Sequence, residues 1–199
     1  MLEWQAFGRA ETTGEMSTAT GFEAAVATLR DGGVIAYPTE GVWGLGCDPD
    51  DPAALQAVLT LKQRDPAKGL ILIAGDIAQV APWLEGISEA QRETLLATWP
   101  GPNTWLVPDN GRAHPLLRGA HDRVALRVSD HPLVAALCAA YGGPIVSTSA
   151  NPAGAEPARD LATVRRYFGA SLVAVDGALG GQARPSRIRD LVTGKTLRA

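Results

Sequence analysis

The sequence predicts a single α/β domain in which helices cover a sheet of short strands. Two patterns lead to this fold class: short apolar runs bounded by Gly or Pro, and helical segments with one apolar face between those runs. No internal repeat or low-complexity linker divides the 199 residues, and this length suits one compact domain.

The first half of the chain alternates between helix and strand. Apolar residues recur on one face of a helix over 22–29, and apolar runs predict buried strands at 34–37 and 70–73. Between these strands a helix is predicted over 52–62, because Asp51 can cap it and is followed by a proline in the first turn.

The second half continues the alternation. Asp76 can cap a short helix, and Ser88 begins a capping box for a helix that runs to Leu96. The same patterns predict strands at 104–107, 124–128, 145–148 and 172–175, and helices at 132–141 and 160–168. Short segments near Arg123 and at the C-terminus are expected to add antiparallel edges to the sheet.

The composition is that of an ordinary globular protein with a small acidic excess. The formal net charge is −3 and the pI is about 5.6, which argues mildly against stable binding of duplex nucleic acid, although the basic residues could still gather on one face. Cys47 and Cys138 have no metal-ligand spacing, and the N-terminus does not resemble a signal peptide. We therefore expect a cytoplasmic protein.

The domain boundary is predicted near residue 19. Residues 1–19 are polar and lack clear periodicity, and Met16 could serve as an alternative start. We predict that residues 1–19 are a dispensable extension and that 20–199 form one domain.

Several common catalytic and metal-binding motifs do not fit this chain. Gly194-Lys195-Thr196 resembles the end of a P-loop, but Arg189 stands where the leading glycine is required, so a turn between two strands is predicted there. The glycines within 41–46 are not in the dinucleotide-binding order and are predicted to form a tight turn after the first strand. The histidines show no zinc spacing, so we expect them to be structural or surface groups and expect no protein metal site: His114, His121, His131.

Three polar clusters flank the predicted strands. The first contains Lys62, Arg64 and Lys68, which could clamp an anion or could simply complement the dipole at a helix C-terminus. The second is 147–151, with hydroxyls and an amide directly after a strand, and the third is 38–41. Each of these two could equally be a polar turn. Ligands bind at such strand ends in open α/β sheets, so together the clusters predict a site for a phosphorylated ligand.

These same blocks resemble the YrdC-like family of threonylcarbamoyl-adenylate synthases. The resemblance lies in the opening strand and loop at 33–46, the Lys-x-Arg element at 62–64, the Pro-Gly-Pro-x-Thr turn at 100–104, and the blocks 125–132 and 147–151. It runs in order from about residue 22 to the C-terminus and is similar in length to the short, single-domain TsaC form. It implies a twisted mixed sheet flanked by helices around a basic concavity.

The resemblance also implies roles for particular residues. Lys62 and Arg64 would be the catalytic cations. ATP would be bound by Lys62, Arg64, Thr104, Ser149, Asn151 and Arg198. Threonine would be bound by Thr39, Lys68, Arg127, Ser147 and Ser186.

The implied activity is that of a nucleotidyltransferase. It would make threonylcarbamoyl-AMP and pyrophosphate from L-threonine, bicarbonate or CO₂, and ATP accompanied by Mg²⁺, for the t6A modification of tRNA at position 37. The implied partners are these substrates, the transferase complex that modifies tRNA, and a weak contact with tRNA itself. Two alternatives stay open. One is a non-catalytic RNA-binding or ribosome-assembly module. The other is a carbamoyl-transfer activity, which YrdC-like domains have as parts of much larger chains.

Overall fold

The computed structural model describes residues 13–198, which form six helices and nine strands. The helices are α1 Thr13–Arg30, α2 Pro52–Lys62, α3 Glu89–Leu96, α4 Pro115–Arg118, α5 Pro132–Tyr141 and α6 Leu161–Phe168. The strands are β1 Ile35–Pro38, β2 Trp43–Gly46, β3 Ile71–Ala74, β4 Asn103–Pro108, β5 Arg123–Val128, β6 Ile145–Ser149, β7 Val173–Ala174, β8 Arg187–Asp190 and β9 Thr196–Arg198. Two 3₁₀ helices occupy Pro66–Lys68 and Ile77–Trp83.

All nine strands belong to one mixed sheet in the order β7-β1-β2-β6-β3-β5-β4-β8-β9. The pairs β1–β7, β3–β5 and β4–β8 are parallel, and the other neighbours are antiparallel. The predicted α/β class and its mixed sheet are confirmed.

Helices cover both faces of this sheet because successive strand residues point in opposite directions. In β3, Leu72 packs into the cluster built with α2 and α3, whereas Ile73 packs into the cluster built with α1 and α5. A third apolar cluster forms beneath α6 around Trp43 and Val164. Each fully buried aliphatic side chain contributes about 1.5–3 kcal/mol, so these clusters hold the strand ends in fixed places.

The predicted helix starts are confirmed by their caps. The Asp51 carboxylate accepts from the amides of Ala53 and Ala54, and Ser88 forms a capping box with Gln91. Asp76 begins a second capping box, here at the start of a 3₁₀ helix.

The glycine-rich segment 41–46 contains the end of a turn and a strand that the sequence did not predict. Only 39–42 forms a turn, and Trp43–Gly46 is strand β2, which pairs with β1 and β6. A Cβ on Gly46 would lie 2.8 Å from the Tyr37 ring and 2.8 Å from the Val146 carbonyl oxygen. The predicted tight turn after the first strand is therefore confirmed at 39–42, whereas glycine at 46 makes room for close strand packing.

The two predicted sheet edges have different outcomes. β8 and β9 form an antiparallel pair at one edge, with Gly194 in the connecting turn at φ 69°. β5 lies inside the sheet between β3 and β4, so the expectation of an edge near Arg123 was wrong.

The predicted extension lies mostly outside the described residues. Residues 1–12 are not described, and α1 begins at Thr13 and passes through the predicted boundary at residue 19. Between residues 13 and 198, no helix is both long and apolar enough to cross a bilayer.

Candidate active site

A cavity of about 580 Å³ opens where the β1–β2 turn, the start of β3, the end of β6 and the segment before β8 meet. Eight of the eleven site residues implied by the sequence line it: Thr39, Arg64, Lys68, Arg127, Ser147, Ser149, Ser186 and Arg198. The three polar clusters of the sequence therefore do converge in one concave site.

The cavity is strongly basic although the chain as a whole is acidic. Its wall carries seven cationic side chains and three carboxylates, against a net charge of −3 for the whole sequence. The cations are Arg64, Lys68, Arg118, Arg123, Arg127, Arg184 and Arg198. The predicted basic concavity is confirmed, and such a site attracts anionic ligands.

Arg64 enters the cavity because α2 ends abruptly. Gln63 takes a left-handed conformation (φ 50°) that turns the chain after Lys62. The Arg64 Nε donates to the carbonyl oxygen of Gly69 at 3.1 Å, and partial burial lowers the pKa of the guanidinium. Arg64 thus presents a cation that is held by a neutral acceptor.

Lys62 does not line the cavity. The residue is 3% exposed, and its Nζ donates to the carbonyl oxygens of Ser149 and Asn151, the latter at 2.8 Å. Burial, with a smaller effect from Arg64, lowers its pKa to about 8. Lys62 therefore ties the end of α2 to the end of β6, and a direct contact with a ligand would require its ammonium to leave these carbonyls.

Strand β6 brings Ser147 and Ser149 to the cavity wall, while Asn151 lies behind it. The Asn151 Nδ2 donates to the carbonyl oxygens of Pro152 at 3.0 Å and Ala155 at 2.8 Å. The asparagine thus shapes the loop after β6 and does not face the cavity.

Arg127 sits in the wall as half of a buried ion pair. Its Nη2 lies 2.5 Å from the Glu40 carboxylate, and its Nε donates to the Gly101 carbonyl oxygen at 3.2 Å. The Ser129 hydroxyl donates to the other Glu40 oxygen at 2.6 Å. Burial raises the pKa of Glu40, but Arg127 and Ser129 lower it more, so the net shift is downward.

Glu40 is a cavity residue that the sequence reasoning did not select. It belongs to the cluster 38–41, but its partner Arg127 is far away in the chain. Only the pairing of β5 in the folded sheet brings the two together.

Beside Glu40, Thr39 lines the cavity and closes the turn, because its hydroxyl and its amide both donate to the Val42 carbonyl oxygen, at 2.7 and 3.1 Å.

Ser186 and Arg198 form another part of the cavity wall. The Arg198 Nε and Nη2 donate to the Ser186 carbonyl oxygen at 2.9 and 2.7 Å. Burial lowers the pKa of Arg198, and the nearby charges of Arg127 and Arg64 lower it further. Arg64, Arg127 and Arg198 thus line the same cavity and influence one another electrostatically.

Thr104 contacts Ser186 from the side that faces away from the cavity. It is fully buried and does not line the cavity, and its hydroxyl lies 2.8 Å from the Ser186 hydroxyl. Any influence of Thr104 on a ligand would pass through Ser186.

Other lining residues were not anticipated from the sequence. Arg118 and Arg123 are paired with Asp109 and Asp190 at 3.2 and 3.3 Å, so their charges are compensated. Arg184 also faces the cavity. No spacing rule marks these positions, because Arg118 lies in α4, Arg123 in β5 and Arg184 in the segment before β8, and only the fold brings these elements together.

The three histidines have different environments. His121 lines the cavity. His114 caps α4, with Nδ1 accepting from the Leu116 amide at 3.1 Å, and the buried His131 places Nε2 3.1 Å from the Ala178 carbonyl oxygen. Across the described part of the chain, no three His, Cys, Asp or Glu residues cluster as a protein metal site would require.

Two threonylcarbamoyl-AMP synthases are similar to this chain in sequence over most of their length. A threonylcarbamoyl-AMP synthase of Chromohalobacter salexigens is 67% identical over 87% of this chain and 94% of its own length. The threonylcarbamoyl-AMP synthase of Cellvibrio japonicus is 56% identical over 85% of this chain and 90% of its own length.

Solved structures agree with the fold. P. abyssi Sua5, in a crystal structure complexed with L-threonine, superposes with a TM-score of 0.78 at 26% identity over 88% of this chain. This chain spans only 52% of that longer Sua5 chain. Residues 27–199 match the Sua5_yciO_yrdC family model, which is described as telomere recombination. The chain therefore belongs to the Sua5/YciO/YrdC family.

Proposed function

We propose that this protein is an L-threonylcarbamoyladenylate synthase. The reaction joins L-threonine, bicarbonate or CO₂, and ATP into threonylcarbamoyl-AMP and pyrophosphate, for the t6A37 modification of tRNA. The observation that carries the proposal is the convergence of Arg64, Arg127 and Arg198 in one cavity, in a chain 67% identical to a synthase of that name.

The phosphates of ATP are assigned to the side of the cavity with uncompensated cations. Arg64 and Arg198 are both held by carbonyl oxygens, and Ser149 offers a hydroxyl nearby on the wall. Guanidinium forks match phosphate oxygens in shape and charge. Lys62, Asn151 and Thr104 support this side from behind the wall in the present arrangement. We propose that Mg²⁺ arrives with the triphosphate, bound mainly by phosphate oxygens and water.

L-Threonine is assigned to the side that contains Arg127. The Arg127 guanidinium would receive the substrate carboxylate, and Thr39, Ser147 and Ser186 supply hydroxyls around it. Lys68 is exposed at the rim, where its charge would guide the anionic groups inward. The P. abyssi Sua5 crystal contains L-threonine, which supports an amino-acid site in this fold.

The proposed reaction has two steps. The threonine amine first adds to the carbon of bicarbonate or CO₂ to form a carbamate, with loss of water when bicarbonate is used and with release of an amine proton to solvent when CO₂ is used. A carbamate oxygen then attacks the α-phosphorus of ATP, and the bond to the bridging oxygen breaks so that pyrophosphate leaves with the electron pair. No group of the protein needs to form a covalent bond.

Catalysis in this scheme comes from placement and charge. Binding both substrates in one cavity holds the carbamate against the α-phosphorus, and fixed cations stabilise the charge that develops on the phosphoryl oxygens. The arginines are held by Gly69 and Ser186 before substrate binds, so little reorganisation is required.

The partners and the location of the protein are proposed from the same activity. The product would be used by the transferase complex that modifies tRNA in the cytoplasm, with at most a weak direct contact with tRNA. A non-catalytic RNA-binding role is not favoured, because the basic charge lies inside a concave cavity and the similar proteins are named as synthases.

The test is to incubate the purified protein with ATP, Mg²⁺ and bicarbonate, with and without L-threonine. We expect pyrophosphate release that depends on threonine, together with a threonylcarbamoyl-adenylate product identified by mass spectrometry. A folded protein that gives no such product but binds RNA with a steep salt dependence would contradict the proposal.

A further inference from the structure

The Arg127 guanidinium is fixed on one side and available on the other. Its Nε donates to the Gly101 carbonyl oxygen and its Nη2 is in the ion pair with Glu40, whereas within the described residues neither a hydrogen bond nor an ion pair engages its Nη1. Because Arg127 also lines the cavity, this nitrogen is the part of the group left for a ligand.

Glu40 is itself immobilised. Glu40 is 3% exposed, and its carboxylate uses one oxygen for the ion pair with Arg127 and the other to accept from the 1% exposed Ser129. The Glu40 carbonyl oxygen accepts from the Gln182 amide at 2.9 Å, and the neighbouring Thr39 carbonyl oxygen accepts from the Gly180 amide at 3.1 Å.

Close packing adds to these hydrogen bonds. A Cβ on Gly180 would lie only 3.0 Å from the Glu40 Cα, so the segment around Gly180 packs directly on this backbone. The Glu40 backbone therefore cannot shift easily. Because its carboxylate is held in place, it restricts the rotamers of the long and otherwise flexible Arg127 side chain.

We infer that Glu40 is a positioning residue of the synthase, which holds Arg127 so that its free edge meets the carboxylate of the amino-acid substrate. The inference rests on the proposed function and deepens it, since it assigns to a buried glutamate the geometry of the threonine side. Glu40 acts through Arg127, and Ser129 in turn orients Glu40.

A charge-only role for Glu40 makes the opposite prediction. If the carboxylate merely reduced the positive charge of the cavity, its removal would strengthen the binding of an anionic carboxylate. If it positions Arg127, its removal weakens threonine binding, because the freed guanidinium populates other rotamers. The direction of the change therefore separates the two roles.

The experiment measures the dissociation constants of L-threonine and ATP by calorimetry for the wild type, Glu40→Ala and Glu40→Gln. We expect threonine affinity to fall on the order of tenfold in Glu40→Ala and by less in Glu40→Gln, whose amide can still accept from Arg127 without the charge. ATP affinity should change by less than about twofold, since the ATP side uses other arginines.

The matched control is Asp50→Ala. Asp50 also binds an arginine, with two contacts of 2.6 Å to Arg112, but it does not line this cavity. Its variant should bind both ligands like the wild type, which shows that the loss of any carboxylate–arginine pair is not sufficient.

A double-mutant cycle tests whether Glu40 acts through Arg127. In an Arg127→Met background, removal of Glu40 should cost little further threonine affinity, because the group that it positions is absent. This double variant also lacks the unpaired buried charge that could unfold Glu40→Ala alone, and Glu40→Gln provides a conservative second reading.

The outcomes separate this inference from the proposed function. Unchanged or tighter threonine binding in Glu40→Gln and Glu40→Ala, in a wild type that turns over threonine, would overturn the positioning role and leave the synthase intact. A full Glu40→Ala loss in the Arg127→Met background would also overturn it. A wild type that neither binds threonine nor forms the adenylate would overturn the function and the inference together.

Discussion

The two sides of the cavity hold their arginines in different ways. Arg127 is paired with the buried carboxylate of Glu40 at 2.5 Å, so its charge is compensated. Arg64 and Arg198 are instead held by the carbonyl oxygens of Gly69 and Ser186, which orient the guanidinium groups without neutralising them.

This difference indicates which substrate each side fits. Burial and the neighbouring cations lower the pKa of Arg198, so a bound anion would stabilise its charge. A bound triphosphate would offset that positive charge, whereas an amino acid carries both charges and would suit the compensated side. We propose that the two substrates are separated by how each side of the cavity balances its cations.

The largest expected effect is the loss of activity in Arg64→Ala. Removing an uncompensated cation from the ATP side should lower kcat/KM on the order of 100-fold or more, as loss of one preorganised donor does elsewhere. The melting temperature should change little, because Arg64 is only half-buried and gives up one hydrogen bond. Steady-state kinetics and calorimetric scans measure both quantities, with the exposed Arg92→Ala on α3 as the control.

Lys62→Met should reduce both stability and activity, in contrast to Arg64→Ala. It leaves the carbonyl oxygens of Ser149 and Asn151 without their buried donor, which costs about 1–3 kcal/mol. Turnover should fall because the end of β6 is no longer tied to α2. Urea unfolding measures the stability change, with the exposed Lys195→Met as the control. Unchanged stability with lost activity would show that Lys62 acts on ATP directly.

A smaller effect is expected in Thr104→Val, which removes the hydroxyl 2.8 Å from Ser186 and keeps the side-chain shape. Because Thr104 reaches a ligand only through Ser186, we expect kcat/KM to fall by only several-fold, roughly the value of one neutral hydrogen bond. Thr94→Val, on the exposed face of α3, is the matched control. A loss as large as that of Arg64→Ala would place Thr104 in contact with substrate.

The smallest effect is predicted for a chain that begins at Met16. It lacks the first three residues of α1, far from the polar clusters in sequence. Activity should stay within about twofold of the full chain, since terminal turns contribute little unless they are buried. A large loss of folding or turnover would show that the extension has a structural or functional role.

Most of the fold could be predicted from local sequence patterns. Caps at Asp51 and Ser88 and the apolar runs of β3 and β6 depend on neighbours in the chain, so their elements were found. Strand β2 was missed because its glycines indicate a turn. At position 46, glycine is needed because the Tyr37 ring and the Val146 carbonyl oxygen across the sheet leave no room for a side chain.

The candidate site divides in the same way. Hydroxyls and cations next to strand ends could be found from sequence patterns, and five of these candidate residues line the cavity: Thr39, Arg64, Lys68, Ser147 and Ser149. Arg127, Ser186 and Arg198 also line it, but they were expected only from the family resemblance. The sequence could not indicate that Lys62 and Thr104 lie behind the wall or that Glu40 pairs with Arg127, because these relations depend on long-range packing.

The most direct test of the divided cavity is a crossed binding measurement on Arg64→Ala and Glu40→Gln, with ATP and L-threonine titrated separately into each. We predict that Arg64→Ala loses ATP affinity and keeps threonine affinity, and that Glu40→Gln shows the reverse. Equal loss of both ligands in either folded variant would contradict the assignment of the two substrates to separately balanced sides.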